Sequence, residues 1–193
     1  MQFLKILTPL MAGAVLATAV PLLAHAQGTD DSVLTEMSQA FRKGDHKKLT
    51  QLLPQARGHV LEPWAAYWEL KARLDEASPQ EVDAFLARYA GTYQEDRLRN
   101  DLLLLLGQRR DWANFAGHHP QYRMSDDREV RCYALLVDQL KGSTTPPEAV
   151  AEELRRNWYA QRDADDGCNT AADRLYAARR ISELDVWRKA RLA

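Results

Sequence analysis

Residues 63–91 read PWAAYWELKARLDEASPQEVDAFLARYAG, and this stretch decides the fold class. Pro63 suits the first turn of a helix, where its missing N–H costs nothing, and apolar residues then recur at three- and four-residue steps as far as Leu74. A second helix is predicted to begin after Ser78. There the Ser78 hydroxyl and the Glu81 carboxylate can each accept a hydrogen bond from the other residue's backbone N–H, as in a capping box. The stretch therefore predicts one complete helical hairpin.

The remainder of the chain repeats this hairpin pattern imperfectly. The first helices of successive hairpins are predicted to begin near residues 33, 63, 93, 127 and 168. A hairpin repeated every ~30–40 residues is typical of helical solenoids, in which each unit buries its apolar face against the next. The tetratricopeptide signature Trp-x2-Leu-Gly-x2-Tyr does not occur in the sequence. We therefore predict an all-α solenoid of irregular antiparallel helical hairpins.

The helix that opens the third hairpin contains an unbroken run of leucines from 102 to 106, so it is expected to be buried nearly all round. Thr92 and Glu95 are predicted to form a second capping box at its start, and Gly107 is predicted to end it. The glutamates of the chain, Glu69 among them, are assigned to cap positions or to the polar faces of helices.

Residues 1–26 have the features of a cleavable signal peptide. One lysine precedes an apolar run that ends at Leu23, and the sequence Ala-His-Ala at 24–26 matches the small-x-small pattern of a signal-peptidase site. A retained membrane anchor is the alternative, but the proline and glycine residues within the run disfavour a stable membrane span. We expect export, cleavage after residue 26 and a single mature domain over residues 27–193.

Neither the charge nor the potential ligand residues predict a nucleic-acid or metal partner. The mature chain has 25 basic and 27 acidic residues and a net charge of −2, because the predicted signal peptide carries one lysine. A nucleic-acid binder needs clustered excess Lys and Arg. His118 and His119 are assigned to a surface loop, since no third ligand lies at helical spacing. The segment 163–167 is predicted to be a solvated turn, because its glycine is one position too early for a calcium loop. No cofactor is predicted.

Cys132 and Cys168 are the two cysteines of the sequence. An even number of cysteines in an exported protein favours a disulfide, because the compartment outside the cytoplasm is oxidising. The alternative is a dimer that is joined through free thiols.

Two groups of residues could contact a ligand. Trp64, Tyr67 and Trp68 could stack on sugar rings, but aromatic residues at helical spacing beside leucines are more often core residues, and we assign them to the core. A locally basic stretch is assigned to a solvated face, because acidic residues accompany it. It contains Arg97, Arg99, Arg109, Arg110, Arg123, Arg128 and Arg131.

No carboxylate pair lies in a context that indicates acid–base chemistry, so no catalytic residue is predicted.

Four segments form a recognisable combination. They read EPWAAYWELKARL, FLARYAGTYQEDRLRNDLLLLLGQRRDWANF, EVRCYALL and GCNTAADRLYAARRISELDVWRKARLA, and the last two contain the cysteines. Together they resemble the N-terminal superhelical domain of the soluble lytic murein transglycosylases, over most of the mature chain. The resemblance implies a right-handed superhelix in the periplasm. It also implies that Cys132 and Cys168 match two cysteines that this family joins in a disulfide.

In that family the superhelix closes into a ring, and a C-terminal lysozyme-like domain cleaves the MurNAc–GlcNAc bond of peptidoglycan to leave a 1,6-anhydro end. The catalytic glutamate lies in a Glu-Ser dipeptide, followed by a Gly-Leu-Met-Gln segment, and neither motif occurs in this sequence. The resemblance therefore implies the scaffold part of a periplasmic lytic transglycosylase, truncated before the catalytic domain and inactive alone. It would meet peptidoglycan glycan strands through the full-length enzyme, with Arg109 and Arg110 as candidates for glycan contact.

The alternative is a stand-alone periplasmic adaptor that binds a protein partner in a tetratricopeptide-like groove. The last helix of a free-standing solenoid needs a polar outer face to be soluble. The last predicted helix instead carries Leu184, Val186, Trp187 and Leu192, which favours the transglycosylase interpretation.

Overall fold

The chain is helical throughout the part that the computed structural model describes, which comprises residues 31–142, 144–163 and 165–192. Those residues form ten α-helices and no strand, so the predicted all-α fold is confirmed. The helices are α1 (Asp31–Arg42), α2 (His46–Leu52), α3 (Glu62–Ala72), α4 (Pro79–Arg88), α5 (Tyr93–Gln108), α6 (Trp112–His118), α7 (Arg128–Leu140), α8 (Pro147–Tyr159), α9 (Asp166–Ala177) and α10 (Glu183–Ala190). Short 3₁₀ turns, Leu53–Ala56 and His119–Gln121, follow α2 and α6. The predicted signal peptide lies outside the described residues.

Neighbouring hairpins stack through their first helices. In this order α1 packs on α3, α3 on α5, α5 on α7 and α7 on α9. The second helices α2, α6 and α8 pack on the first helix of their own hairpin, and α4 packs on α5. The buried side chains form three apolar clusters, one around α1 to α3, one from α3 to α7 and one from α7 to α9. The core therefore extends along the stack, with helix α5 near its middle.

The hairpin of α3 and α4 has the start and stop signals that its sequence predicts. Pro63 lies in the first turn of α3. At the start of α4 the Glu81 N–H donates to the Ser78 hydroxyl at 3.3 Å, and the Ser78 N–H donates to the Glu81 carboxylate at 2.9 Å. Gly91 follows α4 with a φ of 83°, in the left-handed region that glycine adopts without strain. The predicted capping box is therefore present.

The aromatic stripe of α3 packs between neighbouring hairpins. Tyr67 is buried, and the Trp68 ring stacks on Phe41 of α1 at a centroid distance of 6.2 Å. Trp64 is half-buried, with its ring centroid 5.6 Å from that of Tyr93 at the start of α5. These contacts place the stripe in the core that joins α1, α3 and α5.

Helix α5 is buried on most sides, as its leucines predict, but both of its ends differ from the prediction. At its start the Glu95 N–H donates to the Thr92 hydroxyl at 3.2 Å, but the Glu95 carboxylate binds arginines and completes no second capping box. At its other end the helix continues past Gly107 to Gln108. Gly107 is instead the point where α5 packs against the Tyr133 ring of α7.

The assignment of every glutamate to a cap or a polar helix face is wrong for Glu69 and Glu95, which are 3% and 2% exposed. Glu69 pairs with Arg73 at 2.7 Å. Glu95 pairs with Arg99 at 2.5 Å and with Arg123 at 2.6 Å. Arg99 is itself buried, so it does not belong to the solvated face to which the sequence assigned it. These buried charges are stable because each has a partner of opposite sign.

The last helix, α10, packs on α8 and exposes apolar side chains on its other side. Leu184 is 78% exposed and Trp187 is 58% exposed. Together with Val186 and with Leu192 just after the helix, these side chains give α10 an exposed apolar face. None of the helices within the described ranges is both long enough and apolar enough to cross a membrane.

A disulfide joins the first helices of the last two hairpins. Cys132 in α7 and Cys168 in α9 are bonded, with their Cα atoms 4.8 Å apart, and both side chains are fully buried. The bond spans a sequence separation of 36 residues. It therefore fastens two helices that are distant in the sequence but adjacent in the stack.

Replacing both cysteines by alanine is expected to lower the free energy of unfolding by ~3–4 kcal/mol, because the disulfide restricts the unfolded chain. Urea denaturation of the wild-type protein and of the Cys132→Ala, Cys168→Ala variant measures the difference. The reduced wild-type protein is the control and should lose a similar amount, whereas reductant should leave the variant unchanged. Equal stability of the oxidised protein and the variant would contradict the prediction.

Candidate functional site

The candidates for glycan contact, Arg109 and Arg110, form the corner between α5 and α6. Arg110 has a φ of 60°, in the left-handed region. The Asp111 N–H donates to the Leu106 carbonyl at 2.9 Å, which closes the end of α5 in a Schellman turn. A residue other than glycine in this conformation costs ~1–2 kcal/mol. The contacts of the Arg110 side chain offset that cost.

The two arginines connect the corner to different parts of the fold. Arg110 forms a bidentate ion pair with Asp166 of α9, one bond of which is 2.9 Å, and donates to the Thr170 hydroxyl at 3.0 Å. Arg109 donates to the Asp75 carbonyl at 2.7 Å, in the loop after α3. Arg110 therefore holds α9 against the end of α5, and Arg109 holds the α3–α4 hairpin there.

A cleft of about 400 Å³ opens beside this corner, and we call it the Arg110 cleft. Arg110 and Trp112 line one side of it, Thr170 and Arg174 line the other, and Leu136 contributes an apolar surface. The Arg110 guanidinium lies 5.8 Å from the centroid of the Trp112 ring. Arg174 is exposed, and none of the described residues bonds to its guanidinium. An aromatic ring beside guanidinium donors can hold a polar ligand that has one apolar face, such as a sugar ring.

The ionisable groups that contact the Arg110 side chain do not suit proton transfer. The Arg110 guanidinium holds the pKa of Asp166 below its usual range, and Asp166 in turn raises the pKa of Arg110. Burial raises the pKa of Tyr133, whose hydroxyl donates to Asp166. Asp166 is therefore ionised and Tyr133 protonated at neutral pH. Neither group can exchange a proton with a ligand near neutrality.

Three carboxylates gather where α7 and α9 begin side by side. Asp127 caps α7 and Asp165 caps α9, each by accepting from the backbone N–H three residues later, at 3.1 and 2.7 Å. Glu129 accepts from the Gly167 N–H at 3.2 Å. Burial raises the pKa of Glu129 and that of Asp165. In the described ranges no group of three acidic, histidine or cysteine side chains can hold a metal ion.

Two other segments differ in detail from the sequence assignments. His118 ends α6 and His119 begins the 3₁₀ turn that follows, so the histidine pair lies at a helix end and not in an open loop. Gly167, expected in a solvated turn, lies within the first turn of α9. A Cβ atom there would come within 2.7 Å of the Glu129 carbonyl oxygen, so close packing of α9 on α7 requires glycine at this position.

The α9 residues that line the cleft or bind Arg110 were not predicted from the sequence. Asp166, Thr170 and Arg174 follow one another at four-residue steps, which places them on one face of a helix. That spacing is visible in the sequence. The position of this helix face beside Arg110 is not, so the sequence did not identify these residues as part of the site.

We expect Gly107→Ala to destabilise the protein by ~1–3 kcal/mol, because overpacking a tight core forces side chains to move. The new Cβ would lie 2.4 Å from the Tyr133 ring. Gly117→Ala is the matched control, because a Cβ at this helical position meets nothing within 4 Å. The control should be as stable as the wild-type protein or up to ~1 kcal/mol more stable, since alanine is the better helix former. Thermal unfolding compares the variants, and equal stability of the two would rule out the close contact.

Glu129→Gln is expected to stabilise the protein at pH 7. A carboxyl group whose pKa is raised in the folded state binds its proton more tightly there than in the unfolded chain. Ionisation of Glu129 therefore lowers the stability of the protein at a pH above the pKa of Glu129 in the folded state. This loss of stability disappears at a pH below the ordinary carboxyl pKa, where Glu129 is protonated in both states. Melting temperatures of variant and wild type between pH 4 and pH 8 should converge towards acid pH. A constant difference across that range would contradict the raised pKa of Glu129.

Comparison with solved structures gives an informative likeness. No protein-family model and no curated protein matches the sequence. The structure is similar to the X-ray structure of an inactive mutant of the lytic transglycosylase Slt from Pseudomonas aeruginosa, with a TM-score of 0.60 and 25% sequence identity. The similarity covers 83% of this chain and 25% of that chain, so this chain corresponds to about a quarter of its length. It confirms the resemblance seen in the sequence: the chain has a lytic transglycosylase-like fold.

Proposed function

We propose that this chain is the scaffold part of a periplasmic lytic transglycosylase, an enzyme that cleaves the MurNAc–GlcNAc bond of peptidoglycan with a 1,6-anhydro product. The observation that carries the proposal is the structural likeness to the transglycosylase Slt over 83% of this chain. The sequence segments that resemble the family support the same assignment. The activity belongs to the complete enzyme, of which this chain supplies architecture.

The proposed architecture is a right-handed superhelix that forms part of a ring. The stacking of α1, α3, α5, α7 and α9 in chain order supports it, because each hairpin contacts the hairpin before it and the hairpin after it. This arrangement is typical of solenoids, which gain their stability from contacts between adjacent repeats. The buried disulfide between α7 and α9 would help such a scaffold to remain folded outside the cytoplasm.

The location follows from the same proposal. Peptidoglycan lies outside the cytoplasm, and residues 1–26 have the features of a signal peptide that would take the chain there. We propose that residues 27–193 act in the periplasm as one domain. The Cys132–Cys168 bond is consistent with an oxidising compartment.

By itself this segment should not cleave glycan strands. No glutamate of the sequence is followed by serine, so the dipeptide that carries the catalytic glutamate in the resembled family does not occur. Asp166 and Tyr133, which contact the Arg110 side chain, do not exchange protons near neutral pH. The segment instead offers surfaces that a glycan strand could contact.

The Arg110 cleft is the proposed place of that contact. It combines the Trp112 ring with the guanidinium groups of Arg110 and Arg174, and within the described ranges no residue bonds to the Arg174 guanidinium. Arg110 donates several of its hydrogen bonds to Asp166 and Thr170. It therefore holds α9 in place beside the cleft and also lines the cleft. Arg109 donates to the Asp75 carbonyl and is not among the residues that line the cleft. The exposed apolar side chains of α10 suit a scaffold that packs against other protein surfaces.

Two measurements on the purified protein test the proposal. Incubation with peptidoglycan sacculi should release no 1,6-anhydro muropeptides, and their release would contradict the scaffold assignment. In a sedimentation assay the protein should bind sacculi, and Arg174→Ala, Arg109→Ala and Arg110→Ala should each bind less.

Arg180→Ala is the matched control for these variants. Arg180 is an exposed arginine that pairs with Glu148, away from the cleft. The Arg174 variant matters most, because its guanidinium bonds to no residue in the part of the chain that the structure describes. Binding that is the same for all these variants would remove the cleft from the proposal.

A further inference from the structure

A second concavity lies between α7, α8 and α9, and we call it the α7–α9 pocket. It has a volume of about 370 Å³ and adjoins the Arg110 cleft, with which it shares Leu136, Leu140 and Arg174. Residues of α7 and α9 line most of it. The disulfide joins these same two helices, so it limits how far the main walls of the pocket can move apart.

The floor of the α7–α9 pocket is apolar and buried. Leu136, Val150 and Leu175 line the pocket and are only 6%, 1% and 9% exposed. Helix α9 contributes small side chains, Ala171 and Ala177, which leave space that larger residues would fill. A concavity lined mainly by apolar side chains, with few polar groups, is typical of sites for small molecules. An alkyl chain that moves from water onto this floor would gain free energy from the hydrophobic effect.

The mouth of the pocket carries a positive charge. Leu140 and Arg174 line the pocket and are exposed, so they lie at its mouth. Among the described residues that line the pocket, Arg174 alone is charged, and none of them bonds to its guanidinium. Asp173, its neighbour in the sequence, lines the Arg110 cleft but not this pocket. A carboxylate at the mouth would therefore meet guanidinium donors that no described residue occupies.

We propose that the α7–α9 pocket binds one medium-chain free fatty acid, whose alkyl chain lies on the apolar floor and whose carboxylate pairs with Arg174. The volume of the pocket is near the lower end of the range for ligand sites, ~300–1,000 Å³, which suits a single chain and not the two chains of a phospholipid. The site does not depend on the proposed function. A bound fatty acid and a glycan strand would, however, compete for Arg174.

Isothermal titration calorimetry of the purified protein with hexanoate, octanoate and decanoate, each below its micelle-forming concentration, tests the site. Binding should tighten about tenfold for every two methylenes that enter the pocket. 1-Octanol should bind about tenfold more weakly than octanoate, because it lacks the charge-assisted hydrogen bonds to Arg174. Octylammonium should not displace octanoate. Failure of octanoate and decanoate to bind, or equal binding of octanoate and octanol, would overturn the proposal.

Arg174→Gln locates the carboxylate and should weaken octanoate binding about tenfold. Arg156→Gln is the matched control, because Arg156 is an exposed arginine of α8 that does not line the pocket and that bonds to none of the described residues through its side chain. It should bind octanoate as the wild-type protein does. Asp173→Asn should bind at least as tightly, since an acidic neighbour is removed. Equal affinities of folded Arg174→Gln and Arg156→Gln would overturn the proposed pairing, whatever the outcome with sacculi.

Leu140→Gln locates the alkyl chain. Leu140 is 45% exposed, so a polar residue is tolerated there, and melting temperatures show that the variant is folded. The variant should gain less affinity for each added methylene than the wild-type protein, a change that loss of the carboxylate contact alone would not produce. Sedimentation velocity tests whether a second copy of the chain covers the pocket instead. A dimer that binds no octanoate, or an unchanged gain per methylene in Leu140→Gln, would contradict a fatty acid in this pocket.

Discussion

The polar side chains buried around α5 determine where its neighbours lie. Asp101 accepts from the Tyr67 hydroxyl at 2.8 Å and from the Lys71 ammonium group at 2.6 Å, which ties α3 to α5. Asp96 accepts from two backbone N–H groups of the segment before α7, at 2.9 and 2.7 Å. Glu95 binds arginines from both α5 and that segment. Burying a carboxylate without hydrogen-bond donors costs free energy. Each of these carboxylates therefore favours the packing of helices that brings its donors to it.

Leucine contacts alone would leave the packing less specific, because apolar surfaces of similar shape can replace one another. Close contacts between helices make the packing more specific than the buried charges alone would. Gly107 allows the Tyr133 ring to approach α5, and Gly167 allows α9 to approach α7. The disulfide and the Arg110–Asp166 pair then hold α9 in that position. The segment from α5 to α9 is therefore fastened at several independent points.

This fastening matters for the Arg110 cleft. The cleft is lined largely by helical residues, and side chains on packed helices hold their geometry better than side chains on loops. In the proposed transglycosylase scaffold the cleft would contact glycan.

The sequence by itself determined the helices, because capping residues, prolines and apolar periodicity act over a few neighbouring positions. Ser78, Glu81 and Pro63 have the roles that these local rules predict, and the quoted segments around the two cysteines carry the family resemblance. The tertiary structure alone decided which charges are buried and which surfaces face one another. Glu95 and Arg99 are indistinguishable from exposed residues in the sequence, and their burial depends on hairpins distant along the chain. Asp166 and Arg110 meet across 56 positions for the same reason: long-range packing leaves no local periodic signal.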